Sequence, residues 1–487
     1  MKFQITNTYQ GNENIILIPV LKTDDYANFL KNTLEKYNFT IQNIENDFSA
    51  DAKSFLVLPT PSHKIILLGL GKKYEENEMI KIFRFFFFKQ KKSLQGKIRI
   101  DIQHIPQNFL PQISNGIFLG NYDSQLHKTN KKDEKNWFLN PESEIIFYTN
   151  APKEDALIAL EEGKKIADSQ MSIMDLVNDA PNYKTPKSLT EWAIKSGEKN
   201  GFEVKVMDKK QLEEEKMGCL LAVGNVGKES AYMILMEYKP KNATKKIGLV
   251  GKGITFDNGG VSIKPSTNMH LMKCDMAGAA AVFGAFELAA KLQLNIHLVA
   301  AVPVAENLLG NHAYLPSDVI TSYSGKTVEI IDTDAEGRLI MADALTYLNR
   351  NYQPEILIDI ATLTGSTVRT LGYMAAGLLT NNDDLAKKLY EVGLKTGEKL
   401  WRLPLWDDYE DDISSDIADV RNFSGKDMAG AISAGKFLEV FTEKHTAYAH
   451  LDIAGTAFKV SEFASVHTST AFGVRLLLDF FRTIIAE

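Results

Sequence analysis

Lys246-Ile-Gly-Leu-Val-Gly251 is a short apolar run that passes without a polar spacer into Lys252-Gly-Ile-Thr-Phe-Asp-Asn-Gly-Gly260. A run this short, closed by glycine, reads as a strand buried on both faces of a sheet. Two similar runs follow downstream, Ile296-His-Leu-Val-Ala-Ala301 and Glu355-Ile-Leu-Ile-Asp-Ile360. Between and around them, the alanine-rich residues 275–292 and residues 338–347 read as helices. Strand alternating with helix predicts an α/β architecture with a mixed, mostly parallel sheet flanked by helices. In such sheets the sites gather in loops beyond the carboxyl ends of the strands, and two loops here are dense in charge.

Working outward, Ser54-Phe-Leu-Val-Leu58, Lys64-Ile-Ile-Leu-Leu-Gly69, Lys97-Ile-Arg-Ile-Asp-Ile102 and Glu144-Ile-Ile-Phe-Tyr148 are strand-like runs separated by lysine- and glutamate-rich helical stretches. They predict a smaller α/β domain over residues 1–150. The run Phe85-Phe-Phe-Phe88 could mark a membrane or partner patch, but reads more simply as a helix partly buried against that sheet. Residues 127–135, polar and rich in lysine, read as a surface loop. Residues 154–177 place Leu157, Leu160, Ile166, Met171, Met174 and Leu176 at helical spacing and end at Asn178-Asp-Ala-Pro-Asn182, so a linking helix is expected within 151–180. The rest, 181–487, forms the second and larger domain. Two domains are expected on length alone, because single cores stop growing near about 250–300 residues.

Hydrophobic residues make up 44% and charged residues 24%, proportions that exclude a disordered chain. The net charge of −7 leaves no global basic field to attract a phosphate backbone, which disfavours nucleic acid as a partner. Two cysteines, Cys219 and Cys274, build neither a disulfide framework nor a cysteine zinc site. The N-terminal residues carry no secretory pattern, and the longest apolar run, 296–305, falls short of the roughly 18 residues that a spanning helix needs. The expectation is a soluble, cytoplasmic protein.

Lys252, Asp257, Lys264 and Asp275 follow a buried strand, where an isolated charge is costly. They therefore pair with one another or bind metal. A phosphate loop is the weaker reading, since Gly251-Lys-Gly253 lacks the second spaced glycine and the Lys-Ser/Thr ending. Gly253, Gly259 and Gly260 are expected to allow tight turns near the site. The second charged loop follows Thr327-Val-Glu-Ile-Ile331 and contains Asp332, Asp334, Glu336 and Arg338 at alternate positions. In extended geometry these would face one space. Crowded carboxylates repel unless cations neutralise them, and carboxylate oxygen suits zinc, manganese or magnesium. A charged surface turn capping the next helix is the competing reading.

Taken together, Val250-Gly-Lys-Gly-Ile-Thr-Phe-Asp-Asn-Gly-Gly-Val-Ser-Ile-Lys-Pro265, Met272-Lys-Cys-Asp-Met-Ala-Gly-Ala-Ala280 and Asp332-Thr-Asp-Ala-Glu-Gly-Arg-Leu339 resemble the signature segments of the leucyl (cytosol) aminopeptidases. Supporting matches are Asn182-Tyr-Lys-Thr-Pro186, Ala361-Thr-Leu-Thr-Gly365 and His450-Leu-Asp-Ile-Ala-Gly-Thr-Ala457, so the resemblance runs from about residue 155 to the end. Before residue 150 only Ile66-Leu-Leu-Gly-Leu-Gly71 resembles the family's variable N-terminal domain.

The resemblance implies two divalent metal ions held by Lys252, Asp257, Asp275, Asp334 and Glu336, with Asp257 and Glu336 bridging. The ions would be zinc or manganese, with magnesium or cobalt alternatives in one site. Lys252 would have to be neutral to serve as a ligand. It further implies that Lys264 stabilises an oxyanion and that Arg338 holds a bicarbonate ion acting as general base. Met272, Thr362 and Gly365 would line the side-chain pocket, although each has an ordinary packing role as an alternative. Substrates would be peptides with a free N-terminus and a leucine-like or other apolar first residue. The assembly would be a homo-hexamer.

Two other readings stay open at this point. Some members of the family act as DNA-binding regulators, and a Cys-Gly dipeptidase lies within it. A Gly-x-Ser-x-Gly elbow and a His-Glu-x-x-His helix are both absent from the sequence, which disfavours those hydrolase classes. His450 is read as a structural, hydrogen-bonded histidine rather than a base. Two positions depart from the family pattern, Asp332 where asparagine is usual and Asn258 where serine is usual. The segment Gly425-Lys-Asp-Met-Ala-Gly-Ala-Ile-Ser-Ala-Gly-Lys-Phe-Leu438 keeps only part of the family's small-residue pattern.

Overall fold

Lys246–Gly251 becomes a central strand, flanked in parallel by His297–Asn307 on one side and Ile356–Ala361 on the other. The computed structural model describes residues 2–8, 11, 13–41, 43–129, 135–227 and 229–487. They divide into two compact units, 1–171 and 172–487. The division falls inside one long helix, Lys153–Asn178.

In the first unit a six-stranded sheet runs in the order Lys2–Thr6, Glu144–Tyr148, Lys97–Asp101, Ile15–Leu21, Lys64–Gly71, Phe55–Pro59. All neighbours are parallel except the last pair, which leaves the antiparallel strand at an edge. Alternate residues feed two apolar cores. Ile98 and Ile100 join one, while Ile16 and Ile18 join the other. The phenylalanine run lies in the helix Glu76–Gln90, where Phe86 and Phe87 are buried and Phe85 and Phe88 half-buried. It is a core helix rather than a patch. Of the lysine-rich stretch, 127–129 are exposed and 130–134 lie outside the described residues.

The second unit is built on a larger sheet. From one edge the order is Leu400–Arg402, Ala376–Thr380, Tyr448–Asp452, Ile356–Ala361, Lys246–Gly251, His297–Asn307, Tyr232–Tyr238, Glu203–Met207, with Gly253–Asp257 pairing to the far half of His297–Asn307. The central four strands are parallel, and the pairs toward the edges include antiparallel ones. This is the expected mixed, mostly parallel α/β sheet.

The alanine-rich stretch forms the helix Ala277–Lys291, in which every residue from Ala277 to Ala290 is buried. Small side chains let it lie close on the sheet: a Cβ on Gly278 would fall 2.1 Å from the Ile360 carbonyl oxygen. On the other face, Leu339, Ile340, Leu345 and Leu348 of the helix Glu336–Tyr352 pack with Leu357 and Tyr448. Among the described residues no helix is long and apolar enough to cross a membrane.

The parallel strands share one polarity, so their carboxyl ends open on one side. Lys252 follows Lys246–Gly251, Thr362 follows Ile356–Ala361, Asn307 ends His297–Asn307, and Asp257 ends Gly253–Asp257.

Candidate functional site

Lys252 is 3% exposed, and its backbone N–H donates to the Ile360 carbonyl at 3.1 Å, which ties it to the neighbouring strand. Its ammonium lies 2.8 Å from Asp275 Oδ2 and 2.9 Å from Glu336 Oε1, and donates to the Thr362 carbonyl at 3.2 Å. Lys264 makes the complementary bridge, 2.8 Å from Asp257 Oδ2 and in contact with Asp334 Oδ1. One carboxylate oxygen each of Asp257, Asp334 and Glu336 lie within 4.8 Å of one another.

The backbone around Asp257 is shaped to bring these groups together. Asp257 Oδ1 accepts from the Gly259 N–H at 2.9 Å and from Asn307 Nδ2 at 2.8 Å. Gly259 sits at φ +90°, in the left-handed region, and a Cβ there would fall 2.4 Å from the Ser262 carbonyl and 3.2 Å from Asp334 Oδ1. Only glycine permits both the turn and the close approach.

The second loop does not stay extended. After the strand Thr327–Glu329 the chain turns, and the helix Glu336–Tyr352 begins at Glu336. The alternation expected from strand geometry therefore fails as an explanation. Asp334 and Glu336 reach the cluster from a turn and a first helical residue. Asp332 Oδ1 instead accepts the Asp334 N–H at 2.9 Å. The competing picture of a charged surface turn fails as well, because Glu336 is 1% and Arg338 5% exposed.

Four carboxylates, Asp257, Asp275, Asp334 and Glu336, thus meet two ammonium groups, an excess of two negative charges in a buried place. The protonation equilibria respond accordingly. Burial, with Asp257 and Glu336 close by, pushes Asp334 up to about 7, and burial together with Asp257 pushes Glu336 up. Burial works against the Lys252 ammonium, but Asp275, Glu336 and Asp257 outweigh it and hold the group above the ordinary lysine value. Lys264 is held up in the same way, with burial outweighed by Asp257, Glu336 and Asp334. The chain's own groups therefore keep Lys252 charged, the opposite of what ligation requires. A cation binding there must displace a proton from it.

The donor set fits divalent ions. Asp275 Oδ2, Asp334 Oδ1 and Glu336 Oε1 are buried, and no hydrogen-bond donor is aligned on them even though lysines stand at ion-pair distance. Oxygen donors crowded this way, with excess negative charge, suit a hard or borderline dication.

Lys252, Asp257, Lys264, Met272, Asp275, Asp332, Asp334, Glu336, Arg338, Thr362 and Gly365 all line one cavity of about 500 Å³. Every residue singled out in the sequence for metal, catalytic or pocket roles is thereby brought to one place. Met272 is half-buried, Thr362 is buried and donates to Asp275 Oδ1 at 2.8 Å, and Gly365 is exposed. Arg338 Nη1 donates to the Asn422 carbonyl at 2.7 Å, while its Nε is buried without a hydrogen-bond partner. Burial draws the guanidinium down to about 10, so it remains cationic at neutral pH.

Several supporting residues were given no role by the sequence, although Asp452 lies in the segment 450–457 that resembles the family. Asn307 Nδ2 donates to Asp257 and to the Thr333 carbonyl. Asn422 Oδ1 accepts from the N–H groups of Ile331 and Asp332, fixing the turn before Asp334. Asp452 accepts from the Thr364 and Thr367 hydroxyls at 2.7 and 2.6 Å and so holds the loop after Ile356–Ala361. Asn307, as the last residue of an apolar strand, could also have been suspected. His450 is fully buried against Asp359, its Nδ1 2.5 Å from Oδ1, and Tyr448 OH donates to the same carboxylate at 2.6 Å. It is a structural histidine.

Comparison with known proteins bears on what this arrangement serves. Residues 172–478 match the family model described as "Cytosol aminopeptidase family, catalytic domain". The chain is 40% identical to a probable cytosol aminopeptidase of Chloroherpeton thalassium, with 99% of each chain covered. It is 46% identical to one of Chlorobium phaeobacteroides, covering 75% of this chain and 73% of that one. Among solved structures, the bottromycin maturation enzyme BotP in complex with Mn superposes with a TM-score of 0.84 at 26% identity, over 97% of this chain and 99% of that one. With its C-terminal unit matched by the family's catalytic domain and a relative similar along nearly the whole chain, this protein belongs to the cytosol aminopeptidase family and is a peptidase of the hydrolase class.

Proposed function

We propose that the cavity removes the N-terminal residue, leucine-like or otherwise apolar, from peptides by metal-assisted hydrolysis. The observation that carries this is the cluster of Asp257, Asp334 and Glu336 oxygens within 4.8 Å, short of positive charge and set beside Lys252 and Asp275. These five residues would hold two divalent ions, zinc or manganese. Bound there, the ions would act as Lewis acids on the scissile carbonyl and lower the pKa of the attacking water.

The chain's own residues do the rest. Lys264, anchored between Asp257 and Asp334, presents an ammonium to the oxyanion that forms as the carbonyl is attacked. Arg338, its Nε buried without a hydrogen-bond partner, would hold an anion, bicarbonate, to supply a general base. Met272, Thr362 and Gly365 border the space for the first side chain. The chemistry falls to residues 181–487, joined through 151–180 to a separate domain, 1–150. The family resemblance supports a homo-hexamer working in the cytoplasm.

The direct test is hydrolysis of leucine amide by purified, metal-loaded protein. Activity should be lost on chelation and return with manganese or zinc. A panel of amino-acid amides and Cys-Gly separates a broad aminopeptidase from a dipeptidase. Release of no amino acid from any substrate in the panel would overturn the reading.

Metal binding should also depend on pH in a defined direction. The cluster holds protons that ligation must displace, including those of Lys252 and of Asp334 near 7, so apparent affinity should rise between about pH 6 and about pH 8. Calorimetry in buffers of different ionisation enthalpy should record proton release on binding. Binding without proton release would contradict the protonation states given above.

Asp332 adds a carboxylate two residues before Asp334, hydrogen-bonded to the Asp334 N–H, where the family usually has asparagine. Asp332→Asn should change metal affinity or metal preference at the Asp334 site, read by titration with manganese and zinc. Equal affinities in both proteins would dismiss a role for that charge.

A further inference from the structure

One wall of the cavity is the short helix Gly365–Leu371. It is pinned at its start, where the Thr364 and Thr367 hydroxyls both donate to Asp452. Residues four apart on a helix lie one above the other on the same face. Accordingly the guanidinium of Arg369 folds back along the cavity wall, with Nη1 3.6 Å from where a Cβ on Gly365 would stand. Glycine at 365 leaves that guanidinium uncovered.

The other cations lining this cavity have partners. Lys252 and Lys264 each bridge two carboxylates, Arg338 donates to Asn422, and Lys426 pairs with Asp412 at 2.5 Å. Among the described residues, Arg369 makes neither a hydrogen bond nor an ion pair. A lone arginine on an open surface would be solvated and uninformative. Arg369 is itself exposed, but it lines the same cavity as the carboxylate cluster and lies beside the open position of Gly365, which borders the proposed side-chain space.

We propose that Arg369 is a carboxylate-recognition subsite of the peptide substrate. This rests on the aminopeptidase reading of the cavity and adds to its substrate class. The planar guanidinium fork takes a carboxylate through two parallel hydrogen bonds, a geometry that gives specificity as well as strength. A cavity of about 500 Å³ has the size for a short peptide. The carboxylate comes either from the side chain of an N-terminal glutamate or aspartate, or from the C-terminus of a di- or tripeptide.

The test compares kcat/KM of wild type, Arg369→Met and Arg369→Lys on leucine amide, glutamate α-amide, Leu-Gly and Leu-Gly amide. Methionine keeps helix propensity and chain length, so the variant should fold. Arg369→Met should lower kcat/KM on a carboxylate-bearing substrate at least about tenfold more than on its uncharged counterpart, with partial recovery in Arg369→Lys. A selective loss on glutamate α-amide identifies the side-chain source. A selective loss on Leu-Gly relative to its amide identifies the terminal carboxylate. An equal loss on all four substrates, or no loss on any, would overturn the proposal. Failure of wild type to cleave even leucine amide is a different result, and it would overturn the aminopeptidase reading on which the proposal stands.

Discussion

Glu336→Ala is expected to lower kcat/KM for leucine amide by about ten thousandfold or more, a barrier increase of about 5 kcal/mol. Glu336 occupies the middle of the cluster: Oε1 lies 2.9 Å from Lys252 and Oε2 3.5 Å from Asn307 Nδ2, and it belongs to the compact group with Asp257 and Asp334. Removing it takes away a carboxylate that reaches Lys252 and also stands in the group with Asp257 and Asp334. Bound metal measured after dialysis should fall along with activity. Alanine is a good helix former, but the change also leaves buried Lys252 with one carboxylate fewer, so stability is expected to fall as well as metal binding. Circular dichroism melting separates the two effects. Full turnover in a folded Glu336→Ala protein would remove the cluster from the mechanism.

Lys264→Met is expected to lower kcat by about a hundredfold to a thousandfold, the range found when one oxyanion donor is lost. Because the contact is made to charge that develops during the reaction, kcat and kcat/KM should fall by the same factor and KM should change little. Its effect on metal should be opposite to that of Glu336→Ala. Lys264 neutralises Asp257 and Asp334, and without it those carboxylates attract a dication more strongly. Loss of activity with metal retained or tightened supports an oxyanion role. A rise in KM alone, or loss of metal to the extent seen in Glu336→Ala, would assign Lys264 to ground-state binding or to ligation.

Much of the fold could be read from local pattern. Apolar runs such as Lys246–Gly251 and Ile356–Ala361 are buried strands because their residues are apolar on both faces, and the alanine-rich Ala277–Lys291 is a helix buried all round. The site was legible in part for the same reason: carboxylates and lysines adjoining buried strands demand partners. Local period failed at Asp332, where extended geometry predicted a fourth group facing the cluster. The chain turns there because Asn422, some ninety positions away, accepts the N–H groups of Ile331 and Asp332. No spacing within residues 327–339 could have announced it.

By itself, then, the sequence determined the strand or helix character of its most apolar runs, the chemistry of the donor groups and the family they resemble, because these depend on residue type and short-range period; strands such as Ile15–Leu21 and Tyr232–Tyr238 emerged only in the fold. The tertiary structure alone decided that Lys252, Asp257 and Asp275 share a cavity with Asp334 and Glu336, that Asp332 turns back on its own loop, and that Arg369 stands beside Gly365 without a partner among the described residues. Those facts depend on which strands lie side by side and on hydrogen bonds between segments far apart in the chain. The charge state of Lys252 belongs with them, since a lysine holds its proton at 3% exposure only when three carboxylates from different elements close around it.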